Sequence, residues 1–316
     1  YWGAQAKVKK VVYQAVPDVV TRMAMLRAGD LDIAQILPPQ AITSLESSDK
    51  FEIMQVPIGR CRMVGLNMAR EPFSDSRMRR AVNMAVNRQD MVKYVLNGVG
   101  QEAVSMYPPM IYWANDKLKG FAYDPEQAKE LMAQAGWQDQ DGDGILENEG
   151  KPLQIKFVTY PERAALPPTA EVIQAQLRKL GFDVQLVVTQ VDAAHAMRDQ
   201  GDFDMFLVGR GLLFVPDPDY NLMKDYYSKN TVKSGWGAFY YKDEKVDELL
   251  LKGRSIFDQA RRKQIYDEVQ ALLLQDAPMM YLNYYVNIDA VARHVKGYQM
   301  HPTESSYHLE TVSLSK

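Results

Sequence analysis

Between Lys151 and Val208 the chain alternates strand-like runs with amphipathic stretches, and few folds accept that order. Lys151 to Tyr160 reads as a strand, and Thr169 to Leu180 as a helix stopped by Gly181. Phe182 to Thr189 reads as a strand, Val191 to Gln200 as a short helix and Phe203 to Val208 as an apolar strand. A β-α-β-α-β order implies parallel strands joined by right-handed crossovers, with the helices packed on the sheet. The predicted class is therefore α/β.

The flanking regions read as follows. Lys7 to Val16 has the β-branched content of a strand, Pro17 suits the first turn of a helix, and Gly29 suits its left-handed stop. Phe51 to Val56 and Cys61 to Asn67 read as two strands separated by Pro57 and Gly59. Beyond Pro72 the period becomes helical: Met78, Val82, Ala85 and Val86 share a face, while Arg77, Arg79, Arg80 and Arg88 fall mostly off it. A short helix is predicted from Gln89 to Leu96. Asp124-Pro125 is a strong helix start, with Gly136 as the stop. Val246 to Leu251 and Gln259 to Leu274 read as helices, and Met279 to Val286 and Asn287 to Ala292 as strands.

Composition narrows the function. A hydrophobic fraction of 47% and a charged fraction of 24% are those of a globular protein. A net charge of −3 with mixed signs excludes the basic stripe of a nucleic-acid surface, and no apolar run is long enough to span a membrane. The single cysteine, Cys61, forbids an intramolecular disulfide and sits in an apolar stretch as a small hydrophobe. No nucleophile elbow, P-loop or zinc-protease signature occurs, so no enzymatic activity is expected.

Four segments in order resemble the peptide/nickel-type (family 5) solute-binding proteins of ABC importers. They are Val16-Pro17-Asp18 through Leu31-Asp32-Ile33-Ala34, Ser76 to Arg88, Asp124 to Trp137, and Asp276-Ala277-Pro278-Met279-Met280-Tyr281-Leu282. The resemblance covers nearly the whole chain. It implies a periplasmic-binding-protein-like (type II) two-lobe clamp. Residues 1–73, with 291–316 returning, would be part of the first lobe, and 74–290 the carboxy-terminal α/β lobe. The crossings near Asn67–Pro72 and Tyr284–Asn287 would act as hinges. It also implies a periplasmic or extracytoplasmic lipoprotein that works as a monomer. Such a protein would capture a peptide-like or carboxylate-bearing solute and deliver it to an ABC permease. A nickel or metal-chelate ligand and a sugar are the alternatives within the family, and a calcium-stabilised interaction module is the alternative outside it. Tyr1-Trp2-Gly3 resembles a signature that relatives carry in mid-sequence, which implies that the family's amino-terminal portion and signal are absent.

Three groups of residues are candidates for a site. The loop Arg210 to Asp219 leaves the last predicted parallel strand at its carboxyl end, where open α/β sheets bind ligands. Peptide-binding relatives carry there an acid that anchors the ligand's ammonium, and Leu213 or Phe214 occupies that position here. Arg210, with its planar fork, suits a carboxylate instead, or pairs with Asp217 or Asp219. Trp236, between Gly235 and Gly237, is either an aromatic wall or core. The expected ligand-binding set is thus Arg210, Phe214, Asp217, Asp219 and Trp236. Asp139, Asp141 and Asp143, with the Ile145 carbonyl, reproduce the front of a calcium loop, although Gly150 stands where the closing Glu would be. The other reading is an Asp/Gly turn whose side chains cap their own backbone. His301 and His308 could serve a nickel site, but no metal-ligand spacing accompanies them.

Overall fold

The computed structural model describes residues 5–230, 239–304 and 306–315. In chain order the elements are α1 (Val19–Ala28), β1 (Ile33–Ala34), α2 (Gln40–Glu46), β2 (Phe51–Leu66), α3 (Ser76–Ala85), α4 (Arg88–Asp90) and β3 (Gln101–Glu102). Then come α5 (Pro125–Gln134), β4 (Glu147–Asn148), β5 (Lys151–Pro152), β6 (Gln154–Thr159), α6 (Leu166–Arg178), β7 (Asp183–Val188), α7 (Val191–Asp199) and β8 (Met205–Gly211). The chain continues with α8 (Pro218–Tyr226), α9 (Glu244–Arg254), α10 (Gln259–Asp276), β9 (Met279–Ala292), β10 (Val295–Lys296) and β11 (Ser313–Leu314).

One seven-stranded sheet runs β1-β9-β2-β8-β6-β7, with β3 also on β9. The expected β-α-β-α-β unit is present: β6 lies between β7 and β8 and is parallel to both. β2 and β9 run antiparallel beside it. Most helices begin where an aspartate accepts an N–H of the first turn, as Asp18, Asp75, Asp124, Asp217, Asp243 and Asp258 do. Gly29 ends α1 at φ 85°, the left-handed stop expected of it.

The structure departs from expectation at several elements. Lys7 to Val16 forms no strand, and Val11, Val12 and Tyr13 lie exposed, because no described strand pairs with them. β2 is one strand of 16 residues: Pro57 and Gly59 do not end it, since a bulge absorbs them. Likewise β9 runs unbroken from Met279 to Ala292. The helix expected from Gln89 is a three-residue turn that runs into a π-turn at Met91–Val95. α6 starts earlier than predicted, at Leu166, because Pro167 and Pro168 are tolerated in a first turn that needs no N–H. α2 and α8 were not anticipated.

The arginines of the α3 region do structural work. Arg79 donates to the carbonyls of Phe73, Ser74 and Asp276 at 2.9, 3.1 and 2.9 Å. Arg88 donates to the carbonyls of Tyr281 and Asn83 at 2.6 and 2.8 Å. Burial pulls the Arg88 pKa down to about 10, yet the guanidinium stays charged at neutral pH.

Apolar packing divides inside the two long strands. The main core reaches from Cys61 to Tyr284 through the α/β unit, and a second cluster joins Leu26, Leu45 and Phe51 to Ile288 and Ala290. Between them the β2–β9 register shifts: Pro57 pairs with Val286 and Cys61 with Tyr284, so Ile58, Gly59 and Arg60 oppose the single residue Tyr285.

Candidate functional site

The bulge sits beside the carboxyl end of β8, where Arg60 faces Gly211 and Arg62 faces Gly209 across the β2–β8 ladder. Alternation places both arginines and both glycines on one face of the sheet, and puts Cys61 and Arg210 on the other. Gly211 leaves room for the Phe214 ring and the Arg60 guanidinium, and Gly209 for Tyr285 and the Arg163 side chain. Tyr285 fills the space between them: the Arg62, Arg163 and Arg60 guanidinium carbons lie 4.5, 5.9 and 6.0 Å from its ring centre. The approach to Gly209 is close, since a Cβ there would come within 2.5 Å of the Tyr285 hydroxyl.

The electrostatics of this cluster are uneven. Arg60 donates to the Gly209 carbonyl at 3.1 Å and pairs with Glu304 at 2.9 Å. Arg62 is only 3% exposed, and its one hydrogen bond runs from Nη1 to Asn283 Oδ1 at 2.6 Å. Its Nε has no acceptor, the Tyr285 hydroxyl has no partner, and among the described residues no carboxylate lies within ion-pair distance of Arg62. A buried cation without a counter-charge is costly. The cluster thus has the charge and the open donors to take an anion, with an aromatic face beside it.

The residues expected from sequence scatter. Arg210 points away from the cluster into the core and holds Asp225 with both arms, at 3.0 and 2.9 Å. Its partner is thus neither Asp217 nor Asp219, because strand alternation turns it to the opposite face from Gly209. Asp217 caps α8 and takes both arms of Arg262 at 2.7 and 2.9 Å. Burial alone would raise its carboxyl, but Arg262 and the Asp219 N–H outweigh that and its pKa lies below the ordinary value. Asp219 lies 3.3 Å from Arg254, and burial lifts its pKa. Phe214 does join the cluster: its exposed ring lies over Gly211, beside the Arg60 guanidinium. Leu213 packs on Gly59 instead. Trp236 and Tyr1-Trp2-Gly3 lie outside the described residues. Sequence reading missed Arg60, Arg62, Arg163 and Tyr285, although arginines on either side of Cys61 in an apolar strand were a signal.

The acidic loop is separate from this cluster. Asp139, Asp141 and Asp143 are joined by Glu147, each offering an oxygen within 4.8 Å of the others. The aspartates also cap their own turn: Asp139 accepts from the Gly142 and Gly144 N–H groups at 2.7 and 3.1 Å, and Asp143 from Ile145 N–H at 2.7 Å. Such a set could hold a hard cation. The His301 and His308 ring centres lie 5.1 Å apart with the planes tilted by 49°, and their Nδ1 atoms are engaged with Thr303 and Glu310.

Residues 1–233 match the bacterial extracellular solute-binding proteins, family 5. The chain belongs to that family. The oligopeptide-binding protein AppA of Bacillus subtilis is 28% identical over the whole chain, which covers 58% of AppA. The nickel-binding periplasmic protein of Escherichia coli is 27% identical over 90% of the chain and 55% of its own length. The chain thus spans little more than half the length of these relatives. AppA in complex with a nonapeptide superposes with a TM-score of 0.85, at 28% identity over 95% of this chain and 59% of that one. NikA of Brucella suis in complex with Fe(III)-EDTA gives 0.89 at 24% identity, over 100% of this chain and 64% of that one. The fold is that of the type II periplasmic binding proteins of family 5, as the resemblance implied. No helix among the described residues is long and apolar enough to cross a membrane.

Proposed function

We propose that this chain is the solute-gripping part of an extracytoplasmic binding component of an ABC importer, and that it takes a small solute by its carboxylate. The observation that carries this reading is Arg62, buried against Tyr285 with no acid beside it. A carboxylate placed there would gain charge-assisted hydrogen bonds from Arg62 and Arg163, and an apolar part of the solute would lie on Tyr285 and Phe214. The solute is released unchanged to a permease, so the protein does no chemistry, and one copy suffices. The carboxylate could belong to a peptide or to a chelate that carries nickel or another metal. Both occur among the relatives' ligands, and both present the same group to Arg62. The strand bulge at Ile58–Arg60 is the proposed hinge between the lobes.

Arg62→Met tests this in the full-length protein. If Arg62 exists to meet a solute anion, the variant should melt higher than the parent without ligand, because an uncompensated buried charge has gone. It should bind a carboxylate solute more weakly by about 1.5–3 kcal/mol, the range for hydrogen bonds to charged groups. A lower melting temperature with unchanged binding would make Arg62 a structural residue and end the proposal.

A further inference from the structure

The segment after Tyr298 passes over the β2 bulge, where the Gly59 N–H donates to the Pro302 carbonyl at 3.2 Å. Two residues on, Glu304 reaches Arg60. One oxygen, Oε2, accepts from both Nε and Nη2 at 3.2 and 2.9 Å, while Oε1 accepts from Asn287 Nδ2 at 3.2 Å. The contrast with the core pair is plain: Asp225 gives Arg210 two oxygens for two donors, whereas Glu304 divides its carboxylate between two partners. Glu304 also holds a left-handed φ of 59°, which a glutamate adopts only at a cost. It stands outside any helix or strand, on the segment between β10 and β11. The cluster it enters has three guanidinium groups around one ring, and Glu304 answers only one of them.

We propose that Glu304 is a tethered carboxylate that occupies a solute position on Arg60 and so sets how many carboxylates the site accepts. This rests on the anion-site reading above. With Glu304 in place, Arg62 and Arg163 remain for a single solute carboxylate. A solute with two carboxylates gains Arg60 only by displacing Glu304, at the expense of the Arg60 and Asn287 contacts. Glu304 therefore selects against the second negative charge.

The test compares glutarate with its monoamide, glutaramate, by calorimetry in the full-length protein and in Glu304→Gln. The variant keeps the side chain's shape and its acceptor for Asn287 but removes the competing charge. Glutarate should bind about tenfold or more tightly to the variant, on the scale of close charge pairs, while glutaramate changes little. Equal or weaker glutarate binding would overturn the selector and make Glu304 a residue that merely positions Arg60. If glutarate binds the parent protein and Arg62→Met weakens it, but Glu304→Gln has no effect, only the selector falls. If neither protein binds either compound, the carboxylate site falls with it.

Discussion

Arg210 and Asp225 face each other inside the core, the guanidinium Nε and Nη2 each on a separate carboxylate oxygen at 3.0 and 2.9 Å. Both side chains are almost wholly buried. Removing one leaves the other charged and uncompensated, so Arg210→Ala should destabilise the fold by about 3–5 kcal/mol. Arg210→Lys should recover part of this, since a point charge cannot fill both arms of the pair. Denaturant unfolding of both variants checks the expectation. A stable Arg210→Ala protein with weakened solute binding would instead place Arg210 in the site.

Gly209 is small for the benefit of Tyr285. Gly209→Ala should leave the protein folded, because the atom in its way is the far end of a side chain that can move, and the backbone there is ordinary. The displaced phenol should lose its place among the arginines. The expected outcome is carboxylate binding weakened by about 1–2 kcal/mol, the loss of a cation–π contact in a desolvated setting, with near-parental melting. Unchanged affinity would mean that the ring does not belong to the site.

His195 lies between the rings of Tyr160 and Phe206, at 5.7 and 6.0 Å. Burial first, and the Arg198 charge second, hold its pKa below the ordinary 6.5. The unfolded chain takes up the proton at higher pH than the folded one does. Stability contributed by the neutral ring is thus complete above about pH 6.5 and is lost as the pH falls through the lowered pKa. Melting temperature followed downward from neutral pH should show this decline, and His195→Gln should flatten it. An identical profile in the variant would assign the decline to other groups.

Four carboxylates crowd the turn at Asp139, Asp141, Asp143 and Glu147. Their mutual repulsion is what a divalent cation would relieve. Millimolar calcium is expected to raise the melting temperature, and Asp141→Asn to abolish most of that rise while leaving carboxylate binding intact. No calcium effect in the parent protein would reduce the loop to a self-capped turn.

How much of this could be read in advance follows from the range of each interaction. Asp124-Pro125, Gly29 and the strands around α6 and α7 announce themselves locally, and they stand where expected. Asp217-Pro218 carries the same helix-start signal as Asp124-Pro125, yet the stretch reads as a binding loop when its position after β8 is weighed first. Pro57-Val286 shows the opposite failure. A proline and a glycine suggest a turn, but pairing with a strand more than two hundred residues away keeps the backbone extended. The arginine cluster is harder still. Arg60 and Arg62 meet Gly211 and Gly209 only through the β2–β8 register, and Tyr285 arrives from a third strand, so no window of sequence contains the site.

The lone residue opposite the bulge is Tyr285, and it is also the ring on which the arginines gather. If the cluster grips a solute and the bulge is the hinge, as proposed, grip and joint share one side chain. A solute that drew the guanidinium groups onto that ring would pull at a point where two long strands lose step. On the proposed reading, affinity and bending would be coupled through this one ring, and a substitution of Tyr285 should change both together.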